Sequence, residues 1–446
     1  MPLKVVFSKK MKNLNKFKSK LIKGLDYFND YFYPYLPPQL PSQEEIDKMP
    51  TLDELEAQVY QDTLDRIDPD GFYHYRCHPL PLAEKGERIP DLGDMALKQG
   101  CVIGAVALRI KHIGEGGVQF KTFDALLRGI EGFIEDGYLI RGKYRHIKKD
   151  GEWIFNFNDK FIYASDEGHP PVSGDQLAGI CSGLSLAYHL HPERFRDSLK
   201  EKILLFTDRM IANKMMLQDY RTGKTCKGEI PYNSWREQNG SAVTKLALLS
   251  LAYKISSDIE TGYAEDNKYF DWYWKLIDDY SFDSLAEYSS IFLGSWNNFF
   301  GTNIAALSLF AIGLNMDFPD YVKRGLKRIA WQTRDYGYGI FDLLAKASED
   351  TAFYGSFEFK EEIKKRLYSH SISCGEDKFK RSIFFFGKKK RVSALSIRTR
   401  NKEDFVFQRN PFDPPNNFNP DLWALGNTGS EDFLLEYWLA KYLEVI

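Results

Sequence analysis

The apolar residues of this chain are not spread evenly but gathered into helical segments that are small or aliphatic on nearly every side. Five stand out: Ala96 to Ile110, Leu177 to Leu190, Ala242 to Tyr253, Ile304 to Leu314 and Phe433 to Leu443. A helix without a polar face must be surrounded by other elements, so these five are expected in the core. Segments of ordinary amphipathic pattern alternate with them, at Phe123 to Tyr138, Phe195 to Leu217, Tyr269 to Tyr280 and Asp320 to Trp331. An apolar inner helix followed by an amphipathic outer helix, repeated, describes a ring of helical hairpins. The expected fold is all-α, an α/α toroid of about six hairpins.

Each apolar segment is entered through a turn rich in Gly, Ser and Asn that carries an acid or amide. The turns are Gly93-Asp94, Ser173-Gly174-Asp175-Gln176, Gln238-Asn239-Gly240-Ser241, Gly301-Thr302-Asn303 and Gly429-Ser430-Glu431-Asp432. Asp175, Asn239 and Asn303 recur at one constant spacing, and Asp432 follows at about twice that spacing. A repeat of this length marks stacked supersecondary units that cannot bury their own apolar faces singly. In a closed ring the polar turns share one end of the central cavity.

Two stretches break the helical rhythm. Gly151 to Ala164 alternates aromatic and polar residues around Asn158-Asp159, and Ile383 to Phe407 is β-branched and aromatic, so two small β-hairpin insertions are expected. At the start, Lys9, Lys10, Lys12, Lys16, Lys18, Lys20 and Lys23 crowd into a short stretch with no apolar run of the kind a secretory signal needs. Residues 1–44 are therefore read as a basic tail or outer-helix fragment with an extended arm, and 45–446 as one toroidal domain. No run reaches transmembrane length, so no stable membrane insertion is expected and the expected location is cytoplasmic. The formal net charge of −2 gives no overall pull toward nucleic acid. The five cysteines are far apart and read as buried small hydrophobes, without a disulfide framework. The run His74-Tyr75-Arg76-Cys77-His78 is too compact to close a metal site, and no phosphate-cradling glycine loop appears, so neither metal nor cofactor is expected.

The chemistry is expected at the turns. Aromatic residues make up 15% of the chain, and several lie beside the polar turns. Flat rings next to carboxylates and amides suit sugars, whose C–H faces stack and whose hydroxyls hydrogen-bond. Breaking a glycosidic bond takes two carboxylates, one protonated toward the leaving oxygen and one ionised. Asp175, Glu237 and Asp94 are the candidate catalytic acids. His169, Tyr163, Gln176, Tyr232, Trp235, Asn239, Trp296, Asn303, Trp423, Glu431 and Asp432 are candidate contacts to a carbohydrate substrate. For each acid the plain alternative is a helix cap.

The helix alternation, the Ser-Gly-Asp-Gln turn and the closing Glu-Asp-Phe-Leu-Leu helix resemble the six-hairpin, (α/α)6 toroid superfamily, which includes glycoside hydrolases. That resemblance implies a carbohydrate-active enzyme with a carboxylate pair in a central cavity. A polysaccharide lyase acting on uronate-containing glycans is a second expectation, carried by Trp296-Asn297-Asn298-Phe299. A third is a non-catalytic binding or scaffold protein, with Lys388 to Arg391, Arg398 and Arg400 as an anion contact.

Overall fold

A computed structural model describes residues 11–24, 40–75, 77–79, 87–114, 117–156, 158–234, 239–259, 267–289, 299–333, 339–349, 351–369, 378–385, 388–395 and 431–446. These residues are mostly helical, with small sheets. Helix α1 covers 11–24. It is followed by α2 (Gln43–Ile46), α3 (Leu52–Leu64), α4 (Met95–Ile113), α5 (Gly117–Phe133), α6 (Gly174–Leu190), α7 (Asp197–Ala212) and α8 (Asn239–Ile259). The series continues with α9 (Lys268–Tyr280), α10 (Phe282–Glu287), α11 (Phe299–Met316), α12 (Asp320–Thr333), α13 (Ile340–Ser348), α14 (Phe357–Ser369) and α15 (Glu431–Tyr442).

All five apolar segments are helices within a few residues of their expected bounds: α4, α6, α8, α11 and α15. Their side chains form the core; Ala105, Leu184, Ala247, Leu309 and Leu434 are each almost wholly excluded from solvent. Helix α13 joins this set, although its short sequence did not announce it. Successive members touch, α4 with α6, α6 with α8, α8 with α11, α11 with α13, and α13 with α15, which returns to α4. The amphipathic helices lie outside: α5 on α4, α7 and α9 on α8, α12 on α11 and α13, and α3 and α14 on α15. Helix α6 also packs on α11. Deep in the structure Asn315 of α11 donates to Ser185 of α6 at 2.8 Å and to Ser250 of α8 at 3.2 Å, so three inner helices meet around one buried amide.

The closest helix contact is between α4 and α6, and it is made by glycine. A Cβ on Gly100 would lie 2.0 Å from the Gly179 carbonyl oxygen, one on Gly183 2.0 Å from that of Gly100, and one on Gly179 2.5 Å from that of Leu97. Gly179 and Gly183 are one helical turn apart and so face α4 together. The two backbones touch because nothing larger than hydrogen stands between them.

The outer helices are fastened by charged groups. Glu56 of α3 accepts from Arg109 of α4 at 2.8 Å and from the Trp438 indole of α15 at 3.0 Å. Arg366 of α14 pairs with Asp342 of α13 at 2.8 Å. The lysine-rich start is an outer helix: Met11, Asn15, Ser19 and Ile22 form one buried stripe, with Asn15 donating to the Tyr280 carbonyl and Ser19 to that of Ser284. Those donors meet carbonyls at and just beyond the end of α9.

The β structure is placed differently from expectation. Strands β1 (Cys77–Pro79), β2 (Glu87–Pro90), β6 (His146–Lys149) and β7 (Glu152–Phe155) form one antiparallel sheet, in the order β1-β2-β6-β7. Short pairs add β3 (Ile134–Glu135) with β4 (Tyr138–Leu139), and β5 (Lys143–Tyr144) with β8 (Ile162–Tyr163). The first hairpin therefore turns at Asp150-Gly151, both at positive φ (48° and 93°), and not at Asn158-Asp159. An Asp-Gly pair fits the two left-handed positions of a type I′ turn, and residues 143–149 supply the partner strand. In the second hairpin β9 (Lys378–Phe385) pairs with β10 (Lys388–Leu395), so Lys388 to Arg391 begin a strand. Arg398, Arg400 and Cys374 lie outside the described residues, whereas Cys101 and Cys181 are buried, as small hydrophobes would be.

Substituting Gly100 with Ala is expected to destabilise the protein by about 1–3 kcal/mol, as overpacking does. Gly174→Ala, where the added carbon meets nothing within 4 Å, is expected to cost nothing measurable. Chemical denaturation midpoints of the two variants provide the comparison.

Candidate functional site

Where α4 and α6 begin, the first helix amides are satisfied by groups other than the acids of the entry turns. The amide of Ala96 donates to the Arg141 carbonyl at 3.1 Å, and that of Leu97 to Gln176 Oε1 at 3.0 Å. Asp94 occupies the cap position of α4 yet makes no capping hydrogen bond, and Ser173 likewise makes none at α6. The capping alternative for Asp94 is thus replaced by a side-chain network.

Gln176 is the centre of that network and is fully buried. With its carbonyl oxygen fixed by Leu97, its Nε2 is directed at both acids, 3.1 Å from Asp94 Oδ1 and 3.3 Å from Asp175 Oδ2. Arg141 closes the other side. Its guanidinium pairs with Asp94 at 3.2 Å, donates to Ser173 Oγ at 2.6 Å and also reaches the Gly93 carbonyl. Ser173 in turn donates to Asp175 Oδ1. Two carboxylates from consecutive inner helices are thereby held by one amide nitrogen and one Ser–Arg relay.

The two acids sit in different surroundings. Burial pushes the Asp175 carboxyl above its ordinary value; the nearby Asp94 charge pushes the same way, against the pull of the Ser173 hydroxyl and Arg141. Asp94 has the direct guanidinium contact.

Asp175 opens onto a cavity of about 440 Å³ lined by the beginnings of three inner helices: Ser173, Gly174 and Leu177 of α6, Gly240, Ser241 and Thr244 of α8, and Gly301 and Ile304 of α11. Met210, Met215, Leu217, Glu229 and Ile230 supply the outer wall. That volume falls within the range of about 300–1,000 Å³ usual for small-molecule sites. Asn303, one residue from Ile304, is only 4% exposed, and neither its amide nitrogen nor its oxygen has a hydrogen-bond partner among the described residues. Next to Asp94, a carbon added to Gly93 would come within 3.4 Å of the Tyr75 hydroxyl and 3.8 Å of the His169 ring, so both flank this turn.

Glu431 and Asp432 lie deeper. Glu431 is fully buried, 3.3 Å from Lys98 Nζ and 2.7 Å from the Tyr73 hydroxyl. Burial drives both members of the pair toward neutrality, raising Glu431 and lowering Lys98. This places Glu431 in the packing between α15 and α4, one helical turn below Asp94, and not on the cavity wall. The side chain of Asp432 is turned to the start of its own helix, accepting from the Phe433 amide at 2.8 Å. Tyr163 stacks near Tyr220, at 5.0 Å between ring centres, and Tyr232 packs edge-on against Trp272 and Tyr280. Neither ring is among the residues lining the cavity. Glu237, Trp235, Trp296 and Trp423 lie outside the described residues, as does the side chain of Asn239, which opens α8.

The sequence placed Ser173 in an entry turn and Tyr75 among the aromatics near the turns without giving either a role, and it did not single out Arg141. Arg141 lies in a loop between β4 and β5 with no local signal, and only the fold brings it to Asp94. Asp342, an acid at the start of α13, was missed as well; burial pushes it up to about 6 against the pull of Arg366. Among the described residues the one group with metal-ligand spacing is Asp68, Asp70 and His146, apart from this network.

No protein-family model, curated protein or solved structure matches this chain.

Because the Asp175 carboxyl is raised, its ionisation works against the fold. Stability is greatest while the proton is retained, and it declines as pH climbs from the ordinary carboxylate value of 3.8 through the higher folded value. Asp175→Asn removes that penalty. The variant is expected to melt at a higher temperature than the parent near neutral pH, with the difference vanishing in acid. Calorimetric scans across the pH range measure it.

Proposed function

We propose that the inner and outer helices close into an (α/α) toroid of six hairpins, and that this protein is a carbohydrate-active enzyme, a glycoside hydrolase. The observation that carries the reading is the carboxylate pair: Asp94 and Asp175, from the starts of two inner helices, meet on the Nε2 of Gln176, and the more buried acid opens on a cavity. The order of contacts agrees with a ring, since α15 returns to α4 and three helix beginnings face one hollow.

In this reading Asp175 is the general acid. Burial raises its pKa, which favours the protonated form that the leaving glycosidic oxygen needs, and the Ser173 hydroxyl holds one of its oxygens in place. Asp94, paired with Arg141, supplies the second carboxylate. Gln176 holds the two in register, and Asn303, beside the cavity-lining Ile304 and without a hydrogen-bond partner among the described residues, is suited to a sugar hydroxyl. His169 and Tyr75 flank the Asp94 turn, where a second ring of a disaccharide would pass. The sugar and its linkage follow from contacts that only a bound substrate defines.

The test is release of reducing sugar from a panel of oligosaccharides, with Asp175→Asn beside the parent. The parent is expected to cleave at least one member, and the variant to lose about 10²- to 10⁴-fold in kcat with KM little changed, as removal of a general acid does. An unsaturated product absorbing in the ultraviolet on uronate polymers would instead mark a lyase. Unchanged turnover in Asp175→Asn removes that residue from the mechanism.

A further inference from the structure

Away from the cavity, three side chains converge that the reading above does not use. Asp68 and Asp70 sit on the Asp68-Pro69-Asp70-Gly71 turn, and His146 opens β6. Their donor atoms all lie within 4.8 Å of one another. The turn is fixed against α5: Gly71 has φ +90°, and a Cβ there would fall 1.9 Å from the Ala125 carbonyl oxygen. Only glycine fits, so the position of the two acids is set by backbone packing.

Most of the polar atoms around the trio are already engaged. Asp68 Oδ1 accepts from the Phe72 amide at 2.9 Å, and its Oδ2 lies 2.9 Å from His74 Nε2. Arg145 clasps Asp70 with both arms, at 2.6 and 2.5 Å. Two imidazole nitrogens are left, His74 Nδ1 and His146 Nδ1. The latter, in a residue only 3% exposed, has no partner of hydrogen-bond geometry among the described residues, and stands 3.2 Å from Asp70 Oδ2 and 3.7 Å from Asp68 Oδ2. An imidazole nitrogen converging on two carboxylates, one buried and one half-buried, calls for a positive centre between them, either a proton on Nδ1 or a metal ion.

We propose that Asp68, Asp70 and His146 bind a divalent transition-metal ion, zinc being the first candidate. A tetrahedral ion with bonds of about 2.0–2.2 Å holds its ligand atoms about 3.3–3.6 Å apart, and the two measured edges bracket that spacing. One imidazole and two carboxylates suit zinc or manganese. The surroundings also match an outer shell: His74 orients Asp68, Arg145 orients Asp70, and rings cover the imidazoles, Trp153 at 4.8 Å from His74 and Phe155 at 4.6 Å from His146. The ion ties the turn to β6. Tyr73 and Tyr75, a few residues further on, reach Glu431 and the Asp94 turn, so the ion braces the backing of the cavity without taking part in its chemistry.

The full-length chain, freed of metal by a chelator and dialysed, is titrated with Zn²⁺ and separately with Mn²⁺ by calorimetry, and its melting temperature is followed. One ion per chain and a rise of several degrees are expected. Asp70→Asn and His146→Gln are expected to lose stoichiometric binding, while His112→Gln, an exposed histidine on α4, retains it. Should either variant fail to fold, the stoichiometry of the parent decides. No binding of either ion to the parent, or binding unchanged in folded Asp70→Asn and His146→Gln, overturns the proposal.

Discussion

Everything at the candidate site depends on how closely α4 and α6 approach. Gly100, Gly179 and Gly183 allow the two backbones to touch, and only at that separation can Gln176, on α6, accept the Leu97 amide of α4 while reaching both Asp94 and Asp175. A methyl group at the crossing would push the helices apart by more than a hydrogen bond tolerates. The packing of the core and the geometry of the acids are therefore one constraint.

Electrostatics follow from that geometry. Burial raises the Asp175 carboxyl, and Arg141, which sits directly on Asp94, is hydrogen-bonded to Asp175 only through Ser173. A turn deeper Glu431 is buried between Lys98, 3.3 Å away, and the Tyr73 hydroxyl that donates to it, a polar group at the α4 and α15 junction. A buried pair of this kind contributes little net stability against an apolar equivalent but penalises mispairing strongly. It fixes how the last inner helix meets the first.

The inner helices were legible because burial on all sides leaves a plain mark: a long run without a polar face. The entry turns were legible for a similar reason, since Gly, Ser, Asn and Asp gather where a helix starts. Helix α13 was missed because nine residues show too little period, and α1 was ambiguous because its buried stripe includes Asn15 and Ser19. Gln176 was recognised as a candidate, but its role was not, because it depends on Leu97 in another hairpin. Arg141 carried no signal at all. The metal-like trio eluded a search for compact Cys and His motifs because its ligands join a turn to a distant strand. Local chemistry is written locally; convergence is not.

The central claim, that helix packing sets Asp175 against Asp94 and raises its pKa, is tested most directly by carbon NMR of the Asp175 side-chain carboxyl as a function of pH. The resonance is assigned by its loss in Asp175→Asn. The account predicts a midpoint above the ordinary 3.8, moving down when Asp94 is replaced by Asn. A midpoint at or below 3.8, or one indifferent to Asp94, would contradict it.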